Sequence, residues 1–319
     1  MKALRTLLAL AAALLAAAAP AQDFPARPVR IIVPYTPGGG TDIFARVVSQ
    51  KLGELWSQQA VVENRPGASG SIGSAAVAKA PADGYTLLWN SNAFLSSSAV
   101  YRLPYDPVKD FVAIAPVMRQ PFALVIGSTA GVRTVGELVA AGRARPGHLT
   151  YASAGTGTAT HFVAEKFRLA AGMEAVHVPY KGGTEAHNDV IAQRVSYWFA
   201  PVVMASAGVR DGRVVALGIT SAQRSALLPG VPTMSEAGLQ GVDYSLWNGL
   251  WAPAGTPAAV VEKISADVAR ALASPDLREK LGKLGAEPML MAPADFGRFA
   301  RNEMEEALHI ARVVGIKAE

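Results

Sequence analysis

Short β-branched runs and longer stretches with an apolar stripe alternate along this chain from Val29 onward, the pattern of an α/β protein with a largely parallel sheet. Ile31-Ile32-Val33 predicts a first strand. After a Gly-rich turn, Ile43, Phe44, Val47, Val48, Leu52 and Leu55 recur at helical spacing, with Arg46, Gln50, Lys51 and Glu54 between them. A second unit of the same plan begins at Leu149-Thr150-Tyr151, runs through Ala154-Gly155-Thr156-Gly157-Thr158, and continues as a helix carrying Phe162, Val163, Phe167 and Leu169. The Pro, Gly and Ser content of 63–73 and 230–238 predicts loops, and Asp83-Gly84 a turn into the strand Tyr85-Thr86-Leu87-Leu88. Residues 257–284 predict two helices broken near Ser274-Pro275, with Ser capping the second, and 295–314 a terminal helix.

The amino terminus has a different character. Lys2 and Arg5 precede an apolar run from Leu7 to Ala19, and small residues surround Pro20, which predicts a secretory signal peptide at residues 1–21 cleaved after Ala21. The run is 13 residues long, whereas a membrane span needs about 20. The expected mature protein is soluble and periplasmic, with roughly 300 residues, enough for two domains. The net charge of +5 falls by two when Lys2 and Arg5 leave, and no basic run is interleaved with aromatics, so nucleic acid is not an expected partner. Cysteine is absent, which excludes disulfides, thiol catalysis and Cys-ligated metals.

Two loops carry the candidate chemistry. In open α/β sheets, ligands sit where strands end and helices begin. Pro37-Gly38-Gly39-Gly40-Thr41-Asp42 is such a loop, and its glycines allow close backbone approach to an anion at the helix start. The segment Gly155 to Thr160 offers the same chemistry with three Thr hydroxyls. Read from residues alone, both loops serve equally well as tight turns and helix caps. Asp42 suits the first helical turn but would repel an anionic ligand. The five histidines, at 148, 161, 177, 187 and 309, lack metal-ligand spacing, and only His161 adjoins a candidate loop. No Walker loop occurs, and Gly67-Ala68-Ser69-Gly70-Ser71 lacks the final glycine of a nucleophile elbow.

With these residues located, the chain resembles the Bug-type substrate-binding proteins of tripartite tricarboxylate transport systems. The resemblance spans about Phe24 to Gly315. It is carried by Pro28 to Asp42, Glu63 to Ala68, Leu103 to Phe111, Ser153 to His161, Val178 to Gly183, Arg224 to Gly238 and Ala252 to Pro257. It implies a two-domain, type II-like Venus-flytrap fold with two crossing segments at the hinge. One domain would comprise 24–121 and 247–319, the other 122–246. The implied activity is that of an extracytoplasmic receptor, not an enzyme, which delivers a small organic carboxylate to membrane permease subunits. It would act as a monomer without cofactor or metal. The expected ligand-binding residues are Tyr35, Gly39, Gly40, Thr41, Asp42, Asn90, Ala154, Gly155, Thr156, Gly157, Thr158, His161, Tyr180, Lys181 and Ala200. Where relatives often carry acidic or amide groups, this chain has Ser196 and the apolar Tyr197-Trp198-Phe199-Ala200-Pro201. Trp198, Phe199, Ala200 and Trp247 are therefore expected to line the cleft and to disfavour an amino-acid ligand. Two alternatives remain open from sequence. One is a sensory receptor feeding a membrane kinase. The other is a hydrolase with Ser153, Thr156 or Thr158 as nucleophile and His161 as base, for which no third member is evident.

Overall fold

The computed structural model describes residues 24–38, 40–180 and 182–316; the signal-peptide segment, Gly39 and Lys181 lie outside the described residues. The first unit runs β1 (Val29–Val33), α1 (Gly40–Trp56), β2 (Ala60–Asn64), α2 (Ser71–Ala78), β3 (Thr86–Ser91) and the short α3 (Ala93–Ser96). The long β4 (Phe111–Gly127) then leads into α4 (Val135–Ala144), β5 (Leu149–Ser153), α5 (Ala159–Ala171), β6 (Ala175–Pro179), α6 (Gly183–Ile191), β7 (Tyr197–Pro201), α7 (Val202–Arg210) and β8 (Val214–Ile219). The chain returns through β9 (Ser245–Pro253) to α8 (Ala258–Ala273), α9 (Pro275–Lys283), β10 (Glu287–Pro288) and α10 (Pro293–Val314).

All ten strands belong to one sheet path, in the order β2-β1-β3-β9-β4-β7-β5-β6, with β8 and β10 also on β4. The path has two halves. Phe111 to Pro121 of β4 lies antiparallel to β9, and Phe122 onward lies antiparallel to β7 and β8. The sheet is less parallel than the alternating pattern predicts. Within each half, β1 with β2 and β3, and β5 with β6 and β7, are parallel as expected of β-α-β units. The long strands β4 and β9 are antiparallel because they carry the chain out of one half and back.

Each half has its own apolar core. In the first, Val29, Ile31 and Val33 pack with Phe44, Val48 and Leu52 of α1 and with Ile264 and Val268 of α8. In the second, Tyr151, Tyr197 and Phe199 pack with Val163 and Phe167 of α5, while Trp198 and Ala200 on the other face pack with Ala186 and Val190 of α6. In the predicted apolar stripe of α1, Phe44, Val48 and Leu52 are buried and Val47 half-buried, while Ile43 and Leu55 are exposed. Residues 71–73, expected in a loop, form the first turn of α2. The predicted break at Ser274-Pro275 is present with Pro275 at the first helical position, but the Ser274 hydroxyl donates to the Ala271 carbonyl instead of capping α9. Among the described residues no helix is long and apolar enough to cross a membrane, and no group of His, Asp or Glu could hold a metal.

Gly249 shows how tightly α10 sits on the sheet: a Cβ there would lie 2.5 Å from Phe296 Cζ and 3.1 Å from the Ala115 carbonyl oxygen. Overpacking of this kind costs about 1–3 kcal/mol. Gly249→Ala is therefore expected to lower the urea midpoint by that margin without change in slope, and an unchanged midpoint would show that α10 yields freely.

Candidate functional site

Between the halves lies a cleft of about 510 Å³ floored by Gln120 and Phe122 of β4 and Leu246 of β9. Four helices begin at its walls. Gly40 and Thr41 open α1, Ala159 and Thr160 open α5, Gly183 and Thr184 open α6, and Pro201, Val203 and Met204 surround the start of α7. The first four N–H groups of a helix have no intrahelical acceptor and carry partial positive charge. None of the described residues lining the cleft has an ionisable acid, amine, guanidinium or imidazole side chain. The cleft thus presents hydrogen-bond donors and positive dipole ends in an otherwise neutral wall.

The first loop is braced by Asp42. Its carboxylate accepts the Gly38 N–H at 2.9 Å, Arg46 Nε at 3.0 Å and Asn64 Nδ2 at 2.8 Å. Burial opposes its ionisation, but the hydrogen bonds from Arg46, Gly38 and Asn64 prevail and hold the carboxyl below its usual value. Its charge is spent inside the loop. Asn64 also donates to the Tyr35 carbonyl, and the Tyr35 hydroxyl donates to Asn90 Oδ1 at 3.0 Å. Burial pushes the Tyr35 phenol up to about 12, so it remains a donor at neutral pH. Tyr35, Gly40 and Thr41 line the cleft, while the buried Asn90 supports Tyr35 from behind.

The second loop is tied mostly to itself. Thr160 Oγ1 accepts the Ala154 N–H at 2.9 Å, and Thr158 Oγ1 donates to the Gly155 carbonyl at 2.7 Å. Ala154 and Thr158 line the cleft. Thr156 and Gly157 turn instead toward the first half of the molecule, while Gly155 stays against Ser153 and Tyr180 of its own half. Ser96 donates to the Gly157 carbonyl, Tyr101 donates to that of Thr156, and Gly157, with φ of 77°, packs on Val100. The glycine at 157 thus serves the turn and this approach to Val100.

His161 is buried and accepts the Gly157 N–H through Nδ1 at 3.1 Å. In the hydrolase alternative His161 would act as base, but its Nδ1 is taken by the Gly157 amide, and Ser153 pairs with a different histidine. Ser153 is hydrogen-bonded to His177 at 2.7 Å, is 0% exposed, and accepts the Gly155 N–H. Tyr180 donates to Asp189, and Ala200 is fully buried in the core away from the cleft wall. The expected aromatic wall divides likewise. Trp198 reaches the cleft, whereas Phe199 packs on Phe167. Trp247 lies on the opposite face of β9 from Leu246, in a second cavity where its indole donates to Glu303.

Several lining residues were not foreseen. Ser91, Ala93, Gln120, Gly183, Thr184, Val203, Met204 and Leu284 come from five separate segments. Gln120 was open to detection, because it and Arg119 are the two polar side chains of the otherwise apolar β4. The others carry no local signal.

The family model described as "Tripartite tricarboxylate transporter family receptor" matches residues 44–316. A protein from the tcbD-tcbE intergenic region of Pseudomonas sp. strain P51 is 40% identical over 284 residues, 88% of this chain and 84% of that protein. Among solved structures, R. palustris Rpa4515 with adipate superposes with a TM-score of 0.82 at 34% identity, covering 92% of this chain and 99% of that one. MatC from Rhodopseudomonas palustris, with bound malate, superposes with a TM-score of 0.78 at 30% identity, covering 90% and 99%. The family match and the full-length similarity agree with the two-half architecture and its central cleft: the chain belongs to the receptor family of the tripartite tricarboxylate transporters.

Proposed function

We propose that this protein is a periplasmic receptor that closes its two halves around a small organic acid and delivers it to the membrane subunits of a tripartite tricarboxylate-type transporter. In this reading the described residues of 24–121 with those of 247–316 are one closing body and those of 122–246 the other, a division supported by the change of partners along β4. The observation that carries the reading is the convergence of four helix starts on a cleft whose described lining is uncharged. A helix terminus contributes about 0.3–1 kcal/mol toward an anion, so several together, with their N–H groups, hold one carboxylate without a countercharge. The structural relatives with adipate and malate hold ligands of this chemistry.

The rest of the wall defines what the carboxylate is attached to. Ile43 and Val203, 39% and 38% exposed, stand in the cleft with Met204, Leu246 and the Trp198 ring. An aliphatic chain or a ring fits such surfaces. An ammonium group would find no carboxylate partner among the described lining residues, and desolvating it unpaired costs several kcal/mol. The ligand is therefore an aliphatic or aromatic acid and not an amino acid.

Calorimetry with hexanoate, benzoate, adipate, malate, aspartate and glutamate tests this. At least one plain acid should bind, and both amino acids should bind at least about 100-fold more weakly; tight binding of either amino acid with no response to the plain acids overturns the reading. Val203→Glu puts a negative charge at the start of α7, facing the bound carboxylate. A loss of affinity of about tenfold or more is expected, with little change for Val203→Thr. Equal affinity in the Glu variant would remove α7 from the site.

A further inference from the structure

Behind the second cleft loop, the buried imidazole of His161 and the half-buried one of His177 lie face to face. The rings of His161 and His177 are 3.9 Å apart and 11° from parallel, and His177 stacks in turn on Tyr151 at 4.9 Å. Each ring meets a backbone amide of the loop. His161 Nδ1 accepts the Gly157 N–H directly. His177 Nε2 is bonded to Ser153 Oγ at 2.7 Å, and the same oxygen accepts the Gly155 N–H at 3.1 Å. From this geometry we infer that His161 and His177 are a coupled pair of positioning residues. As neutral acceptors they fix the Gly155 and Gly157 amides, and so hold Ala154, Thr158 and Thr160 where the ligand carboxylate is received. The inference rests on the carboxylate reading of the cleft.

The chemistry requires both rings to be neutral. A proton on His161 Nδ1 would turn the acceptor of Gly157 into a second donor. It would also place a cation 3.9 Å from the neighbouring ring in a buried site. The groups facing the pair are Tyr151 and Ser153 on β5 and Glu165 on α5, with Arg168 of α5 and Tyr197 of β7 behind them against Glu165 and Tyr151. Glu165 is already committed to the Tyr151 hydroxyl and to Arg168, at 2.9 Å from its Nε. Burial, with His177 next to it, lowers His161 from 6.5 to about 3; burial lowers His177 to about 4 against the pull of Glu165. Between these values and 6.5 the unfolded chain binds more protons than the folded one. Stability is then fully present above pH 6.5 and falls as pH drops toward 4. Down to about pH 5 both rings stay neutral, so the pair itself adds no pH dependence to ligand affinity in that range.

The test separates positioning from packing. His161→Leu keeps the volume but removes the acceptor, whereas His161→Asn puts an amide oxygen where Nδ1 was. For whichever of adipate, malate, hexanoate or benzoate binds the unmodified protein, the Leu variant should lose at least about tenfold in affinity and the Asn variant should recover most of it. Hydrogen exchange of the Gly157 amide should speed up in the Leu variant and not in the Asn variant. His177→Gln should act on Gly155 in the same conservative way. Equal losses in the Leu and Asn variants, or wild-type affinity in the Leu variant, would overturn the inference. If His161→Leu does not fold, a scalar coupling between Gly157 N and His161 Nδ1 in the labelled wild-type protein, with unchanged Gly157 exchange in His161→Asn, supports it; absence of that coupling overturns it. If none of the four acids binds, the carboxylate reading falls, and the exchange rates at Gly155 and Gly157 alone decide the role of the pair.

Discussion

Chain continuity through β4 is the constraint on which the other features depend. One strand of 17 residues serves two sheets, pairing with β9 up to Pro121 and with β7 and β8 beyond Phe122. Because side chains alternate along a strand, this ribbon has two functional faces. Gln120 and Leu246 look into the cleft, while their neighbours Arg119 and Trp247 look into the cavity on the other side. Any rotation of the halves that narrows the first space must act on the second. That second space is bridged by Lys166 of α5 and Glu306 of α10, so the terminal helix takes part in fixing the two halves relative to each other.

Holding an anion in a neutral wall is an economical solution to desolvation. A buried countercharge must itself leave water, at several kcal/mol per ion, before it can attract anything. Helix termini and loop amides are fixed by the fold whether or not a ligand is present. Asp42 illustrates the division of labour: it sits in the first turn of α1, yet its carboxylate is satisfied by Gly38, Arg46 and Asn64. It shapes the loop and leaves other donors for the ligand. In the proposed mode of binding, affinity is the sum of many weak, pre-positioned contributions, so the positioning of each amide matters as much as its presence.

Much of the fold was legible because local chemistry and global structure agree. The switch from β-branched runs to helical spacing at Val33 and again at Ser153 marks real strand-loop-helix units, and Pro275 marks a real helix start. Positions buried on both faces of a strand were not legible. In β7 every residue from Tyr197 to Ala200 is fully buried, so no alternation of polarity says which side faces the ligand. Trp198 reaches the cleft while Phe199 and Ala200 do not, and only the register of the folded sheet separates them. The same register brings His177 beside Tyr151, in contact with a histidine 16 positions earlier in sequence on a different element. No spacing rule connects those two histidines.

The two glycine-rich loops look equivalent in sequence and are not equivalent in the molecule. At Gly40 a side chain would meet nothing within 4 Å, so the openness there belongs to the cleft. At Gly157 the backbone has positive φ, and a Cβ would press on Val100 at 3.1 Å. Val100, Ser96 and Tyr101 belong to the first half, so the second loop is itself a contact between the halves. A ligand shifts a conformational equilibrium only by the difference in its affinity for the two states. A donor loop that docks on the opposite half would supply such a difference: under the proposed closure, bringing the halves together and ordering the loop amides become one event, through contacts that separated halves could not make.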